Sequence, residues 1–203
     1  DKTLYFHGTG TTWSHIGTSS STNTLKNRYA SFNFTQEDKT IFVDSKSYPV
    51  IFNASGSTIT ALTSSNSSDV QGAENVAVFK NHAFYSKGSK IFFTAPNTVD
   101  DFATSNGAGT INVGFDVTGM IGFREQLIIF SERRINRLVG SSVGDFVLQP
   151  VSRDLGCVEP DTIQEIGGDI MFLGPDGLRL FSATAPSWPA VLRQKFLPGT
   201  GRL

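Results

Sequence analysis

Residues 82–94 read HAFYSKGSKIFFT: an apolar run, a Lys-Gly turn signal, then a second apolar run. Two later stretches repeat the pattern, QLIIFSERRINRLV from Gln126 and DIMFLGPDGLRLFS from Asp169, so the starts lie 44 and 43 residues apart. Each copy is preceded by another apolar run that ends in a two-residue turn, at Lys80-Asn81, Arg124-Glu125 and Gly167-Gly168. A weaker copy with a longer turn spans residues 40–52, with Phe42 standing 42 positions before Phe84. Asp101-Phe102 and Asp145-Phe146 keep the same phase, 44 apart. Self-similarity at this period is the mark of a repeat architecture, and short strands joined by tight turns every 40–45 residues or so point to β-propeller blades.

Composition agrees. Of 203 residues, 38% are hydrophobic and only 17% charged, with 20 Gly and 17 Phe. Phe, Val, Ile and Thr fit a pleated, half-buried surface, and no stretch shows apolar residues at helical spacing. A four-stranded sheet cannot bury both faces alone, so inner strands covered on both sides read as unbroken apolar runs such as Leu127-Ile128-Ile129-Phe130. The expected fold is therefore all-β, a propeller-like repeat of four-stranded antiparallel blades. With a period of about 43 residues the 203-residue chain holds fewer than five blades, so the propeller is expected to be partial or completed by other chain segments.

Three regions follow. Residues 1–39 form an irregular N-terminal segment, Gly/Thr/Ser-rich between 8 and 24, with Trp13 and Ile16 as its large apolar anchors and an alternating strand at 31–35. Residues 40–184 carry the blades, with a surface loop at 63–69. In 185–203 the phase breaks: Ser187-Trp188-Pro189 stands where another Asp-Phe step is due, and an extended C-terminal arm is expected that leaves its blade with an open edge.

A net charge of −1 makes no global electrostatic case for nucleic acid or a membrane surface, and no apolar run approaches a membrane span. The single cysteine, Cys157, forms no intrachain disulfide and reads as a small buried core residue between Leu155 and Val158. No apolar leader is read after Asp1, which is compatible with a processed chain or a piece of a longer one.

Chemistry-bearing patterns are sparse. His7, His15 and His82 are too scattered for a metal-ligand spacing, so no metal site, catalytic residue or cofactor is expected. Asp100, Asp101, Glu159, Asp161 and Glu165 could suggest a carboxylate pair, but Asp101 and Asp145 hold equivalent repeat positions and read as turn caps. Gly107-Ala108-Gly109 precedes no helix and is no phosphate cradle, and no Gly-x-Ser-x-Gly nucleophile elbow is read in the chain. Arg133, Arg134 and Arg137 form the one local basic cluster. If all three lay on one strand, 133 and 137 would share a face and 134 would look away. The cluster reads as a solvated turn and strand edge, or as a contact to a neighbouring subunit or to DNA in a lumen.

The third repeat carries words beyond periodicity: Asp145-Phe146, then VSRDLGCVEPDTIQEIGGDIMFLGPDGLRLFSAT over 151–184. Together with NHAFYS…IFFTAPNTVDDF (81–102) and FREQLIIFSERRINRLVG (123–140), it resembles tailed-bacteriophage virion structural proteins. The resemblance is greatest to the propeller-bearing tail or nozzle proteins and related virion proteins of marine cyanobacterial phages. It covers about residues 75 to 184, and its motifs are an arginine before a Gly-Cys step, a Gly-Asp strand and a Gly-x-Asp-Gly turn. It implies a non-enzymatic structural component of the particle, in the tail or neck, assembled in the host cytoplasm. Its partners would be other virion proteins and further copies of itself, with no membrane. The other reading is a carbohydrate- or host-surface-binding propeller module, in which Tyr5 and Trp13 would stack on sugar.

Overall fold

The alternation of apolar and polar residues resolves into seventeen strands in a computed structural model that describes residues 2–7, 13–19, 28–33, 38–55, 58–63 and 68–182, the first two segments by their backbone. Strands β1 (Lys2–His7) and β2 (Trp13–Ser19) pair as an antiparallel hairpin. Four blade sheets follow, each made of consecutive antiparallel strands. The first holds β3 (Arg28–Phe32), β4 (Lys39–Val43), β5 (Val50–Asn53) and β6 (Thr58–Ala61). The second holds β7 (Asn75–Phe79), β8 (His82–Lys87), β9 (Lys90–Phe93) and β10 (Gly109–Asn112). The third holds β11 (Gly119–Phe123), β12 (Gln126–Phe130), β13 (Ile135–Val139) and β14 (Val147–Ser152). The fourth has three strands among the described residues: β15 (Glu159–Ile166), β16 (Asp169–Gly174) and β17 (Gly177–Phe181). The described helix amounts to two single 3-10 turns, Ser68–Val70 and Thr104–Asn106. The fold is of the β-propeller type, as the period predicts.

Two details depart from the sequence expectation. The first blade reaches back to Arg28, into the segment 1–39 read as irregular, and its opening strand is 28–32 rather than 31–35. Register explains this: Phe32 pairs with Lys39 and Arg28 with Val43, which places Phe32 in the core at 1% exposure. Residues 185–203, read as an extended arm, lie outside the described residues, as do 183 and 184.

The chain divides into two compact units. The first comprises residues 1–117 with the loop Gly140–Phe146. Its main core gathers Phe32, Ile41 and Ile51 from the first blade with Val76, Ala83 and Tyr85 from the second. Period-2 geometry sends the neighbours of Ala83 and Tyr85, namely His82 and Phe84, to the opposite face of β8. There they meet Phe79 and Phe93, and Phe146 closes the cluster with ring centroids 5.4 Å from Phe93, 5.5 Å from His82 and 5.9 Å from Phe84. Strand β8 is buried on both faces, which is why its sequence shows no alternation.

The turns that set this register carry their chemistry openly. Lys80 (φ 46°) and Asn81 (φ 63°) both take left-handed backbone, as do Gly167 (φ 58°) and Gly168 (φ 85°). Two successive positive φ values match the right-handed twist of the flanking strands, so each dipeptide closes a two-residue hairpin.

The second unit comprises residues 118–139 and 147–203. Phe123, Ile128, Phe130 and Ile135 of its first sheet pack with Cys157, Ile170, Phe172 and Phe181. Pro150 sits in β14, the end strand of its sheet, where the missing N–H faces no neighbour. Gly156 lies flat against the turn between β12 and β13. A Cβ there would fall 2.6 Å from Arg133 N and 2.7 Å from Arg134 N, and closer still to Ser131 O. That contact lets Cys157 N donate to Ser131 O at 2.8 Å, and explains the Gly-Cys step of the third repeat.

Candidate functional site

Three strand ends of the first blade line up across the sheet. Lys39 pairs with Asn53, and Asn53 with Thr58, so the three share one face; two residues along, Ile41, Ile51 and Thr60 form the next row. The inner row runs into the core through Ile41 and Ile51, while the outer row is polar. Opposite stands the connection between β9 and β10, which brings Val99 and Asp100 to the same place. Between them opens a cleft of about 350 Å³, with Ile51, Leu62 and Val99 as an aliphatic floor and Lys39, Asn53, Thr58, Thr60, Thr63 and Asp100 as a polar rim.

Both walls are pinned. On one side Leu62 N donates to Pro49 O at 2.8 Å, and Asn53 Oδ1 accepts from Ser55 N at 3.0 Å. On the other, the buried Tyr85 hydroxyl donates to Val99 O at 2.7 Å, Ala95 N donates to Asp101 O at 2.8 Å, and Thr94 Oγ1 donates to Thr98 O at 2.8 Å. His82, itself 2% exposed, hydrogen-bonds Thr94 O through Nδ1, so that nitrogen carries the proton. Burial pushes the Tyr85 phenol far above its ordinary value of 10.0, and the nearby Asp100 charge pushes the same way, so the hydroxyl stays a donor. The cleft is therefore preformed.

The repeated Asp-Phe steps are structural. Asp101 Oδ1 accepts from Ala103 N at 2.9 Å and its Oδ2 from Asn106 Nδ2 at 2.8 Å, while Phe102 packs on Tyr85 with centroids 5.7 Å apart. Asp145 accepts from Ser142 N at 2.7 Å and Ser141 N at 2.9 Å, with both hydroxyls adding bonds. These donors, the Ser141 and Ser142 amides first, hold its carboxyl down to about 2. Residues 140–144 do have Gly-x-Ser-x-Gly form, which corrects the reading that the chain lacks that spacing. They lie in a loop between two strands with Ser142 turned to Asp145, so no strand-to-helix elbow exists there. Cys157 is fully buried, its thiol donating to Glu159 O at 3.2 Å, and burial raises its pKa. Among the described residues no cluster of three or more His, Cys, Asp or Glu could hold a metal.

The arginine cluster is arranged differently from the strand reading. Arg133 and Arg134 sit in the turn before β13, both exposed, so strand alternation does not govern them. Arg137 lies on β13 with Nε donating to Gln149 Oε1 at 3.0 Å across to β14. Tyr5 and Trp13 stand on β1 and β2, opposite His15 and His7, and their side chains lie outside the described residues.

The cleft residues were not singled out from the sequence, because 39–63 and 99–100 meet only through strand register and a loop. The legible trace was a polar residue in phase with a buried one at two strand ends: Lys39 before Ile41 and Asn53 after Ile51.

Comparison with known proteins supports the fold alone. No protein-family profile matches the chain, and no curated protein sequence does. Among solved structures, it is similar to an auxiliary nutrient binding protein from Bacteroides ovatus, with a TM-score of 0.51 at 14% identity over 90% of this chain and 52% of that one. It is likewise similar to the WD40 repeats of RRP9, with a TM-score of 0.51 at 10% identity over 89% of this chain and 51% of that one. The chain spans about half the length of each.

Proposed function

We propose that the chain is a non-enzymatic structural component of a bacteriophage particle, in the tail or neck, that joins its neighbours through a sheet edge and apolar contacts. The observation that carries this reading is the fourth blade, which has three strands among the described residues where the other three have four. On β16, Leu173 turns its backbone toward β15: its O accepts from Val158 N at 2.9 Å, and its N donates to Thr162 Oγ1 at 2.9 Å. Its partner on β17 is Leu178, so the N–H and C=O of Leu178, and of Leu180 two residues on, point away from the sheet. Such an edge is a template for one more strand, and the position beside β17 is the one at which the other three blades carry a fourth strand. Leu178 is also 43% exposed, and Ile166 of the same unit 49%. The motifs resembling phage tail proteins lie in this blade and its approach, from Arg153 and Gly156-Cys157 to the turn at Gly174–Gly177.

In the particle the occupant of that edge is a strand from a neighbouring virion subunit, another copy of this chain included. Arg133 and Arg134 are the candidates for contact with a subunit or with DNA.

The test is mass spectrometry of purified particles combined with cross-linking and a measured oligomeric state. The chain is expected in the particle at stoichiometric level, with cross-links converging on 177–181. Leu178→Pro, which removes one outward N–H and leaves the bonds to β16 intact, is expected to abolish assembly while the chain still folds. Absence from particles, or assembly unaffected by Leu178→Pro, would refute the proposal.

A further inference from the structure

The cleft in the first unit is separate from the open edge, and its chemistry is specific. We propose that it binds a neutral sugar ring. Its lining carries one cation, Lys39, and one anion, Asp100, so it presents no net charge to a ligand. What remains on the rim is three threonine hydroxyls and the Asn53 amide, groups that both donate and accept hydrogen bonds. A polyhydroxylated ligand is the complementary partner, because each of its hydroxyls also donates and accepts. Ile51, Leu62 and Val99 close the floor, each no more than 7% exposed, so the polar rim supplies most of the surface that a ring would meet. The volume, about 350 Å³, lies at the small end of ligand sites and suits a short ligand rather than a long chain. Both walls are held by backbone hydrogen bonds before any ligand arrives, so little ordering opposes binding.

The experiment titrates the whole chain with methyl glycosides of glucose, galactose and mannose, following the methyl and amide resonances of Ile51, Leu62 and Val99. Saturable shifts centred on these residues are expected for at least one glycoside, at an affinity on the order of 1 mM. Thr60→Val keeps the shape of an exposed side chain and removes one hydroxyl, so binding should weaken about fivefold, with Asn53→Ala at least as much. The amide spectrum of each variant reports whether it is folded. A hexose 6-phosphate should bind no tighter than the neutral glycoside. The same glycoside immobilised as the terminal residue of a glycan separates the sources: retention assigns the site to a surface glycan, and loss assigns it to a free sugar. Leu178→Pro should leave sugar binding unchanged. The proposal is overturned if no neutral glycoside moves those resonances, if both variants bind like the parent chain, or if only the phosphorylated sugar binds.

Discussion

Tyr85→Phe tests the link between the core of the first unit and its cleft. The substitution keeps the ring, its place beside Phe102 at 5.7 Å and all the apolar packing, and deletes one hydroxyl. That hydroxyl donates to Val99 O at 2.7 Å, and among the described residues the carbonyl has no other donor. Two effects add: the net worth of the bond, and the penalty of leaving a buried carbonyl unpaired. Together they destabilise by about 1–3 kcal/mol. With a urea dependence of about 2 kcal/mol per molar for a domain of this size, the unfolding midpoint should fall by about 0.5–1.5 M. Urea titration followed by far-ultraviolet circular dichroism reads this directly. A second assay uses ionisation. The buried phenol is raised above its unfolded value of 10.0, so the folded state keeps a proton that the unfolded chain loses. The resulting stability is complete below pH 10.0 and declines as pH rises above it. While folded, the parent chain and the variant should therefore show equal phenolate absorbance, although the parent has one more tyrosine. A midpoint shift under about 0.25 M, within the range of a neutral surface change, would refute the argument. So would phenolate absorbance from the folded parent in excess of the variant's.

Gly156→Ala drives a Cβ into the backbone of the turn at Ser131–Arg134 and breaks the bond from Cys157 N to Ser131 O; a loss of about 1–3 kcal/mol in urea unfolding is expected, against near-neutrality at the open Gly144. Asp145 ties residues 140–146, and because its carboxyl is depressed to about 2 its contribution is present above the ordinary value of 3.8 and lost as pH falls toward 2. Amide protection in that loop, taken relative to the intrinsic exchange rate, should fall over this acid range, and Asp145→Asn should remove that fall; an unchanged profile in the variant would show that another group is responsible.

How much could be read in advance depended on how local the cause was. The hairpin at Lys80-Asn81 and the one at Gly167-Gly168 were visible because a two-residue turn and its flanking apolar runs are neighbours in sequence. Cys157 as core and Asp101 and Asp145 as turn caps were also legible, since apolar flanks and repeat phase are sequence properties. The start of the first blade was misplaced by three residues, because 31–35 alternates strictly while 28–32 does not, and only pairing with β4 shows that the strand begins at Arg28. Which of Arg133 and Arg134 lies on the strand was likewise not legible: both fall in the turn, and the strand begins at Ile135.

By itself, then, the sequence determined the period, the strand content and the all-β blade architecture, because burial on both faces of a short strand demands apolar residues at a fixed spacing. Tertiary structure alone decided which polar residues meet. Lys39, Asn53 and Thr58 become neighbours through cross-strand register, and Asp100 joins them because a buried tyrosine 15 residues earlier holds the carbonyl beside it. Register is set by the sum of core contacts on the far side of the sheet, and no local pattern in the chain records that sum.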